Sequence, residues 1–448
     1  MIGSKKKSKK MLFDKTTIGL LEDSTGEIME ETSSSSISET FSKIRQAALS
    51  HFNLNGYPGK KHEDYKYMRL DAISDTEFKT GCTKAAEELT YDDIKKYVVN
   101  EAEKNIMVLA NGRYSILASK LELPEGVIAG SILDHIDHPA LAKYFSKIEA
   151  PDSNGFSAAN TAGFVDGLFL FIPKGVVLED PIQILKLTDS KERHYNAHNR
   201  SLFVIEENAK AHVVETSYSV GDFKAFNNSV TEIHCETNSE LKFSKIQNED
   251  ASSFLIDNTS ISQRSGSKSR VNTISLGSNI TRNNLNITLN GEHCDAELFG
   301  FYVSKDDQQI DNHTLVNHNS ANCESTELYK GLADDKSIST FNGKIFVKRD
   351  AQKTNAFQSN KNILLDDNAT INTKPQLEIY ADDVKCSHGA TIGQMDEEAL
   401  FYLRSRGIAL REAQLLMIRA FAADVLDKIG IESVERSLRA LIDEKLRN

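Results

Sequence analysis

Short apolar runs alternate with polar turns along the middle of the chain, from about residue 115 to about residue 393. The runs are rich in Val, Ile, Phe and Thr, recur about every 10–14 residues, and are separated by Asn, Asp, Ser and Gly. β-Branched and aromatic residues fit a pleated, half-buried surface, so these runs predict β-strands. Representative runs occupy residues 202–205, 212–216, 241–246, 284–289, 298–303 and 345–347.

The arrangement of these strands favours a β-solenoid. Long helical patterns between the runs are missing, which argues against a doubly wound α/β sheet. Clear two-residue hairpin signals are scarce (Asn290-Gly291 and Asn342-Gly343), whereas a sandwich or barrel needs more tight turns. Stacked turns need neither feature, and Asn suits their corners because it tolerates a left-handed backbone. We therefore predict a β-solenoid, with a β-sandwich as the alternative.

Helical patterns flank the strands on both sides. Ser36 and Glu39 have the spacing of a capping box, and apolar residues then recur at helical spacing as far as Phe52. The predicted divisions are a disordered tail at 1–35, an N-terminal helical domain at 36–114, the β-solenoid at 115–393 and a C-terminal helical domain at 394–448.

The C-terminal domain contains one helix that is apolar on almost every side. Asp396 is placed to cap the first of three predicted helices, and Gly407 is placed to end it. In the second helix, between Leu415 and Ala423, only Arg419 is charged. A helix with this pattern must be covered on more than one side. Core packing within the domain and docking onto a partner protein both meet that requirement.

Composition narrows the classes of function. The chain has 448 residues, 39% of them hydrophobic, and a formal net charge of −12. An acidic surface repels phosphate backbones, so we expect no nucleic-acid binding along the chain. The basic run at residues 5–10 could contact nucleic acid or anionic lipid, but we interpret it as a solvated tail. No apolar stretch approaches the ~20 residues of a membrane span, and no apolar signal region follows the basic start, so no membrane association is expected.

Cysteine usage indicates a reducing compartment. The five cysteines are few, odd in number and scattered, which does not build a disulfide framework. We therefore expect a cytoplasmic protein. The cysteines are Cys82, Cys235, Cys294, Cys323 and Cys386.

The common catalytic signatures are missing from the sequence. There is no phosphate-binding Gly-x-x-x-x-Gly-Lys-Ser/Thr loop, no Gly-x-Gly-x-x-Gly, no His-Glu-x-x-His, no Gly-x-Ser-x-Gly and no Cys-x-x-Cys pair. Four aspartate doublets lie between strand-like runs, where turn residues explain them better than acid–base catalysis. His234-Cys235 and His293-Cys294 are sequence neighbours, so within a strand they face opposite sides and cannot share one metal ion.

Cys386 and His388 form a more informative pair. Residues two apart in an extended segment project to the same face, so a thiol and an imidazole stand side by side. Sulfur and imidazole together are a competent ligand pair for iron or an iron–sulfur cluster. Two ligands do not complete a site, and a strand histidine beside a core cysteine gives the same spacing. If the pair faces a partner, both side chains should be accessible rather than buried among Leu377 and Ile379.

The same region resembles a known family. The stretch PQLEIYADDVKCSHGATIG at 375–393, continued by DEEALFYLRSRGI at 396–408, is similar to the C-terminal signature of the SufB/SufD family of iron–sulfur cluster assembly scaffolds. The sequence around Cys386 and His388 resembles that of the SufD members more than that of the SufB members. The resemblance covers about residues 40–446, although Tyr65 stands where the family motif often has Trp, and residues 1–35 match nothing we can place. Weaker matches are GYP at 56–58, EDYKY at 63–67, NTA at 160–162, DG at 166–167, IPKGV at 172–176, DPI at 180–182 and EENA at 206–209.

The resemblance implies both a fold and partners. The fold is a right-handed parallel β-helix between helical domains. One partner is the paralogue SufB, with which the chain would form a heterodimer; the isolated chain would form a homodimer instead. The other partner is the ATPase SufC, and only SufC would bind ATP. The C-terminal helices would dock SufC, and we assign Leu416, Arg419, Ala420 and Phe421 to that contact.

The resemblance also implies the role of the thiol–imidazole pair. Cys386 and His388 would lie at the interface with SufB, where a transient iron–sulfur cluster forms, and no cofactor would be tightly bound. The pair could ligate the cluster, or the imidazole could hold iron while the thiolate accepts sulfur.

Two rival functions remain at this point. β-Helices also host polysaccharide-active enzymes, which are usually secreted and line a groove with charged residues. A SufB-like subunit that assembles a cluster by itself is the second rival, and the sequence at Cys386 and His388 argues against it.

Overall fold

The computed structural model describes residues 36–59, 62–80, 88–150 and 153–447. The predicted tail at 1–35 and Cys82 therefore lie outside the described residues. The α-helices within them are α1 Ser36–Asn55, α2 Asp71–Ser74, α3 Tyr91–Ile94, α4 Pro139–Tyr144, α5 Gly155–Gly163, α6 Glu397–Ser405, α7 Leu410–Leu426 and α8 Glu432–Arg447. Short 3-10 helices occupy Glu63–Tyr65, Lys95–Tyr97, Asn100–Ala102 and Leu133–His135.

Strands make up most of the described chain. They are β1 Asn105–Ala110, β2 Arg113–Tyr114, β3 Lys120–Leu121, β4 Ile128–Ser131, β5 Leu168–Ile172, β6 Ile182–Asp189, β7 Tyr195–Ile205, β8 Lys210–Val220, β9 Ala225–Cys235, β10 Glu240–Gln247, β11 Phe254–Gln263, β12 Lys268–Ser275, β13 Ile280–Leu289, β14 Asp295–Ser304, β15 Gln309–His318, β16 Glu324–Ala333, β17 Ile338–Val347, β18 Asn355–Leu364, β19 Thr370–Ile379 and β20 Lys385–Gln394.

From β5 onward, consecutive strands alternate between two facing sheets. The even sheet runs β2-β1-β6-β8-β10-β12-β14-β16-β18-β20, with β3 beside β1, and the odd sheet runs β19-β17-β15-β13-β11-β9-β7-β5-β4. From β5 onward every strand pairs in parallel with the strand two further along, which gives a β-solenoid of about eight turns. Phe254 pairs with Ile280 and Leu168 with Ser201, so successive turns differ by 26 to 33 residues. The predicted solenoid is confirmed and the β-sandwich alternative is wrong, because these strands are joined by solenoid corners and not by hairpins.

The corners use the turn chemistry that the sequence indicates. Asn208, Asn238 and Asn322 have φ values of 59°, 57° and 59°, in the left-handed region that Asn tolerates better than most residues. Asp306 and Asp335, from two of the aspartate doublets, have φ values of 55° and 53°. These doublets are therefore corner residues.

The two helical regions cover opposite outer faces of the solenoid. At the N-terminal side, Tyr65, Met68 and Phe156 pack on outward residues of the odd sheet such as Phe226 and Phe254. At the C-terminal side, α7 and α8 pack on outward residues of the even sheet. The interior between the sheets is a continuous apolar cluster that extends from β1 to β17. None of the described helices is long and apolar enough to cross a bilayer.

The start of the sheet lies inside the segment that the sequence assigns to the N-terminal helical domain. Strand β1 pairs in parallel with β6, and its six residues are all buried. A strand buried on both faces reads as one continuous apolar run, which periodicity alone does not separate from a buried helix. The sheets therefore begin at Asn105, upstream of the predicted division at 115.

The C-terminal helices begin and end close to the predicted positions. The Asp396 carboxylate accepts hydrogen bonds from the backbone N–H groups of Glu398 and Ala399, and Gly407 has a φ of +87° just after α6. In α7, Leu415 and Ile418 are buried against the even sheet. Core packing therefore accounts for the inner face of this apolar helix.

Candidate metal site on the last strand

Both sheets end at the same end of the solenoid with an unpaired edge. Strand β20 pairs only with β18, and β19 pairs only with β17. Nearly all residues of β20 are exposed. An edge strand of ten residues offers unpaired N–H and C=O groups, which are a template for pairing with a strand of another chain.

The register places Cys386 and His388 on the inner face of this last strand. Cys386 pairs with Ala356 and His388 with Gln358, and both of these β18 residues are buried between the sheets. Paired residues on adjacent strands face the same side of a sheet, so the thiol and the imidazole continue two interior columns of side chains. They belong to the interior by register but lie at the end of the solenoid, where no further turn covers them.

Burial separates the two candidate ligands. Cys386 is half-buried and contacts the small cluster formed by Ile345, Val347 and their neighbours, which Leu377 also joins. The prediction is that neither side chain is buried among Leu377 and Ile379; Cys386 packs partly against the cluster that includes Leu377 but stays half-exposed. Burial raises the pKa of the Cys386 thiol, and a backbone hydrogen bond with Ala356 opposes that shift. His388 is exposed.

Beneath His388 lies a polar pair that sequence reasoning missed. Glu327 and Gln358 occupy the same column on β16 and β18, and both are buried. The Gln358 Nε2 donates a hydrogen bond of 2.8 Å to Glu327 Oε2, and Thr314 Oγ1 donates one of 2.6 Å to Oε1. Burial raises the pKa of Glu327 to about 7, against the effect of these two hydrogen bonds. The spacing of about one turn between positions 327, 358 and 388 is the signal that could have found the column.

The other cysteines of the described chain do not join this site. Cys235, Cys294 and Cys323 are buried inside earlier turns. A hydrogen bond with Cys323 lowers the pKa of Cys294 to about 7, whereas burial raises the pKa of Cys235 to about 12. His234 packs its ring 4.5 Å from the ring of Tyr144, on the side opposite Cys235, as the alternation of a strand requires.

Cys386 and His388 have no third ligand nearby within the described residues. The one group of three or more His, Cys, Asp or Glu side chains there that could share an ion is Asp334, Asp335 and Asp366, at half-exposed corners. A thiolate and an imidazole suit iron and iron–sulfur clusters, so the donor set of the pair fits such a cargo, although two ligands alone do not complete a site.

The four residues assigned to partner docking have different environments. Leu416 and Ala420 are exposed on the outer face of α7. Arg419 pairs with Asp443 of α8, with 3.0 Å between Arg419 Nε and Asp443 Oδ1. Phe421 is half-buried, and the Lys330 ammonium lies 4.6 Å from the centre of its ring. The exposed residues on the outer face of α7 include Leu416 and Ala420, together with Glu412 and Asp424, and the neighbouring α6 exposes Phe401 and Tyr402.

The fold and the paired side chains define a class: a β-solenoid protein with helices from both chain termini packed on its outer faces, and with a thiol and an imidazole on one face of a free terminal strand. Comparison with known proteins makes the class specific. Residues 187–421 match the family model for the SufBD core domain of the SUF iron–sulfur cluster assembly system, and residues 16–184 match that for the SufBD N-terminal region. The chain belongs to the SufBD family of iron–sulfur cluster assembly proteins. The match begins at residue 16, so it also covers part of the segment 1–35, for which the motifs show no resemblance.

Individual relatives agree with this assignment. An iron-sulfur cluster assembly SufBD family protein of Synechocystis is 31% identical over 89% of this chain and 89% of its own length. The iron-sulfur cluster assembly protein SufD of Escherichia coli is 29% identical over 90% of this chain and 92% of its own length. The SufD protein of Bacillus subtilis is 29% identical over 81% of this chain and 84% of its own length.

Proposed function

We propose that this chain is a non-catalytic scaffold subunit of an iron–sulfur cluster assembly complex, paired with a SufB paralogue and served by a SufC ATPase. The observation that carries the proposal is the exposed terminal strand with Cys386 and His388 on its inner face. Membership of the SufBD family and relatives named SufD support a role in iron–sulfur cluster assembly.

The free end of the solenoid is the surface we assign to the paralogue. Two ten-residue edge strands, β19 and β20, lie there side by side without a neighbour on their outer edges. A second solenoid with the same kind of end satisfies these backbone groups by adding strands to both sheets. A homodimer in the isolated chain and a heterodimer with SufB in the complex use the same surface.

The ligand pair then lies between two subunits. Cys386 supplies a thiolate once its proton has left, and its raised pKa means that metal binding must displace that proton. His388 supplies a neutral imidazole nitrogen, and the partner supplies the remaining ligands of the cluster. In the alternative division of labour, His388 holds iron while the Cys386 thiolate accepts sulfane sulfur from a persulfide donor, whose own thiolate is released. The cluster is cargo in either case, so neither residue retains a resident cofactor.

The ATPase is assigned to the C-terminal helices. The inner face of α7 is used by the even sheet, and its outer face leaves Leu416 and Ala420 for a partner. Arg419 and Phe421 contact neighbouring residues of this chain and would shape the rim of that contact. ATP would be bound and hydrolysed on SufC, since the sequence contains no phosphate-binding loop.

Complementation tests the site assignment. In cells that lack the native subunit, His388→Ala should leave the protein folded but fail to restore the activity of iron–sulfur enzymes, because an exposed imidazole contributes little to stability. His51→Ala on α1 is the matched control, since it removes a half-exposed imidazole far along the chain, and it should restore activity fully. Full restoration by His388→Ala would show that the site is assigned wrongly.

Anaerobic reconstitution separates this function from that of a self-sufficient SufB-like subunit. The isolated chain should not form a stable, stoichiometric cluster, because its ligand pair is incomplete. Co-purification with a paralogue and an ATPase from native cells tests the partners. A stoichiometric cluster in the pure chain would favour the SufB-like alternative.

A further inference from the structure

We propose that Gln358 is a positioning residue for His388. Its side-chain carbonyl, which has no donor in the described part of the chain, accepts a hydrogen bond from one ring N–H when the exposed imidazole turns onto it, and Glu327 holds the Gln358 amide in the orientation that makes this possible. The inference deepens the proposed function, on which the ligand role of His388 rests, but the hydrogen bond can be tested by itself.

The first argument is the column of inward side chains in which His388 stands. Leu298 pairs with Glu327, Glu327 with Gln358, and Gln358 with His388, on β14, β16, β18 and β20 in turn. Earlier positions of the same column are apolar, namely Val213, Phe243 and Val271. The column therefore becomes polar only in the two turns directly beneath the candidate ligand.

The second argument is the amide of Gln358. Its nitrogen donates to Glu327 on the strand to one side, at 2.8 Å. Its oxygen, Oε1, is buried and has no hydrogen-bond partner among the described residues. Because the residue is only 3% exposed, water in the bulk solvent cannot easily supply that partner. The amide nitrogen and oxygen point in different directions from the same carbon. Because the nitrogen donates its hydrogen bond toward β16, the oxygen is directed toward β20. A buried amide oxygen without a donor is costly, and the paired residue on β20 is His388.

Glu327 fixes which end of the amide faces the histidine. Its carboxylate oxygens accept from Gln358 on one strand and from Thr314 on the opposite sheet. A flipped amide would turn Oε1 toward the carboxylate and lose the first of these bonds. The carboxylate is thus itself held from two sides, and it sets the orientation of the group above it.

This arrangement meets a common requirement of a histidine ligand. A metal-binding imidazole usually donates its second N–H to a carbonyl or carboxylate, which fixes its tautomer and ring orientation and raises its basicity. With one ring nitrogen donating to Gln358, the other presents its lone pair at the free end of the solenoid. No side chain offers Cys386 the same support, since the residue beneath it is Ala356.

Nitrogen-15 NMR of the full chain, labelled on histidine, tests the hydrogen bond directly. The His388 signals are identified by their loss in His388→Ala, and they are measured near pH 8.5, above the usual imidazole pKa of about 6.5. We expect one dominant neutral tautomer in the parent chain and the tautomer mixture of free histidine in Gln358→Met. Gln376→Met, the same change on the outer face of β19, should leave the His388 signals unchanged.

Two outcomes are decisive for the inference. An unchanged His388 tautomer ratio in a folded Gln358→Met protein would overturn the inference. If this variant does not fold, Gln358→Asn provides the same test, because its side chain is one methylene shorter and moves the amide away from the imidazole. In complementation, Gln358→Met should reduce iron–sulfur enzyme activity several-fold, as expected for loss of a supporting group, which typically weakens metal affinity 10–100-fold. A changed tautomer with full complementation would confirm the hydrogen bond and instead contradict the ligand role of His388.

Discussion

The outer face of α7 gives the cleanest test of ATPase docking, through Leu416→Asp. Leu416 is 40% exposed, whereas Ile418 two residues on is 4% exposed and packs on the even sheet. A charge at position 416 points to solvent in the free chain, so the free energy of unfolding should change by less than about 1 kcal/mol. The same change at Phe421 would be ambiguous, because that ring also packs against Lys330.

The loss of affinity can be worked out from the exposed fraction. Full burial of a Leu side chain is worth about 1.5–3 kcal/mol, so burying the remaining 40% contributes roughly 1 kcal/mol to docking. An unpaired carboxylate in the same contact adds a desolvation cost of at least about 1 kcal/mol. Together these raise the dissociation constant for the ATPase by about 30-fold.

Isothermal titration with the purified ATPase measures this constant, and circular dichroism checks the fold of each variant. Leu54→Asp is the matched control, since Leu54 is 79% exposed on α1 at the other side of the solenoid. A folded Leu416→Asp protein that binds the ATPase as tightly as the Leu54→Asp control would refute the docking assignment.

Three further predictions concern the chain alone. Among the described cysteines, only Cys386 should react with iodoacetamide in the native protein, and the rate of its reaction should rise with pH because burial raises the pKa of that thiol. Peptide mass spectrometry measures the labelling, and equal labelling of Cys235, Cys294 or Cys323 would contradict their burial. Burial raises the pKa of Glu249 to about 8, above its value in the unfolded chain, so its contribution to stability is present below about pH 4.5 and is lost as the pH rises toward 8. Glu249→Gln should therefore gain stability relative to the parent chain between about pH 5 and 8, by up to roughly 4 kcal/mol in the free energy of unfolding measured with urea. A difference in unfolding free energy between the two proteins that does not change with pH would refute this. The pure chain should neither bind nor hydrolyse ATP, and turnover that survives removal of contaminating ATPases would argue otherwise.

The solenoid could be predicted because its signal is local. Each apolar run is short, the corners carry Asn and Asp, and two-residue hairpin turns are scarce, so the pattern itself excludes most alternatives. The position of β1 could not be predicted in the same way. Its buried run has no alternation, and its partner, β6, begins more than 70 residues downstream.

The candidate site was only partly visible in the sequence. The spacing of Cys386 and His388 placed both on one face, and the family resemblance drew attention to them. Which face that is depends on the register with β18, and the register depends on corner lengths that vary by several residues from turn to turn. For the same reason Gln358 and Glu327 were missed, although each lies about one turn from the next residue of the column.

The two ends of the solenoid differ, and this sets how far an assembly can grow. At the start, the sheets finish with the short strands β2, β3 and β4, which run antiparallel to their neighbours and leave little edge to extend. At the other end, β19 and β20 each leave a full-length edge open. Joining two chains through their open edges uses up the only long edges in the described structure and leaves blunt ends outward. If two chains join in the way proposed above, the contact closes on itself, and neither outward end offers a long strand edge from which a fibre could grow.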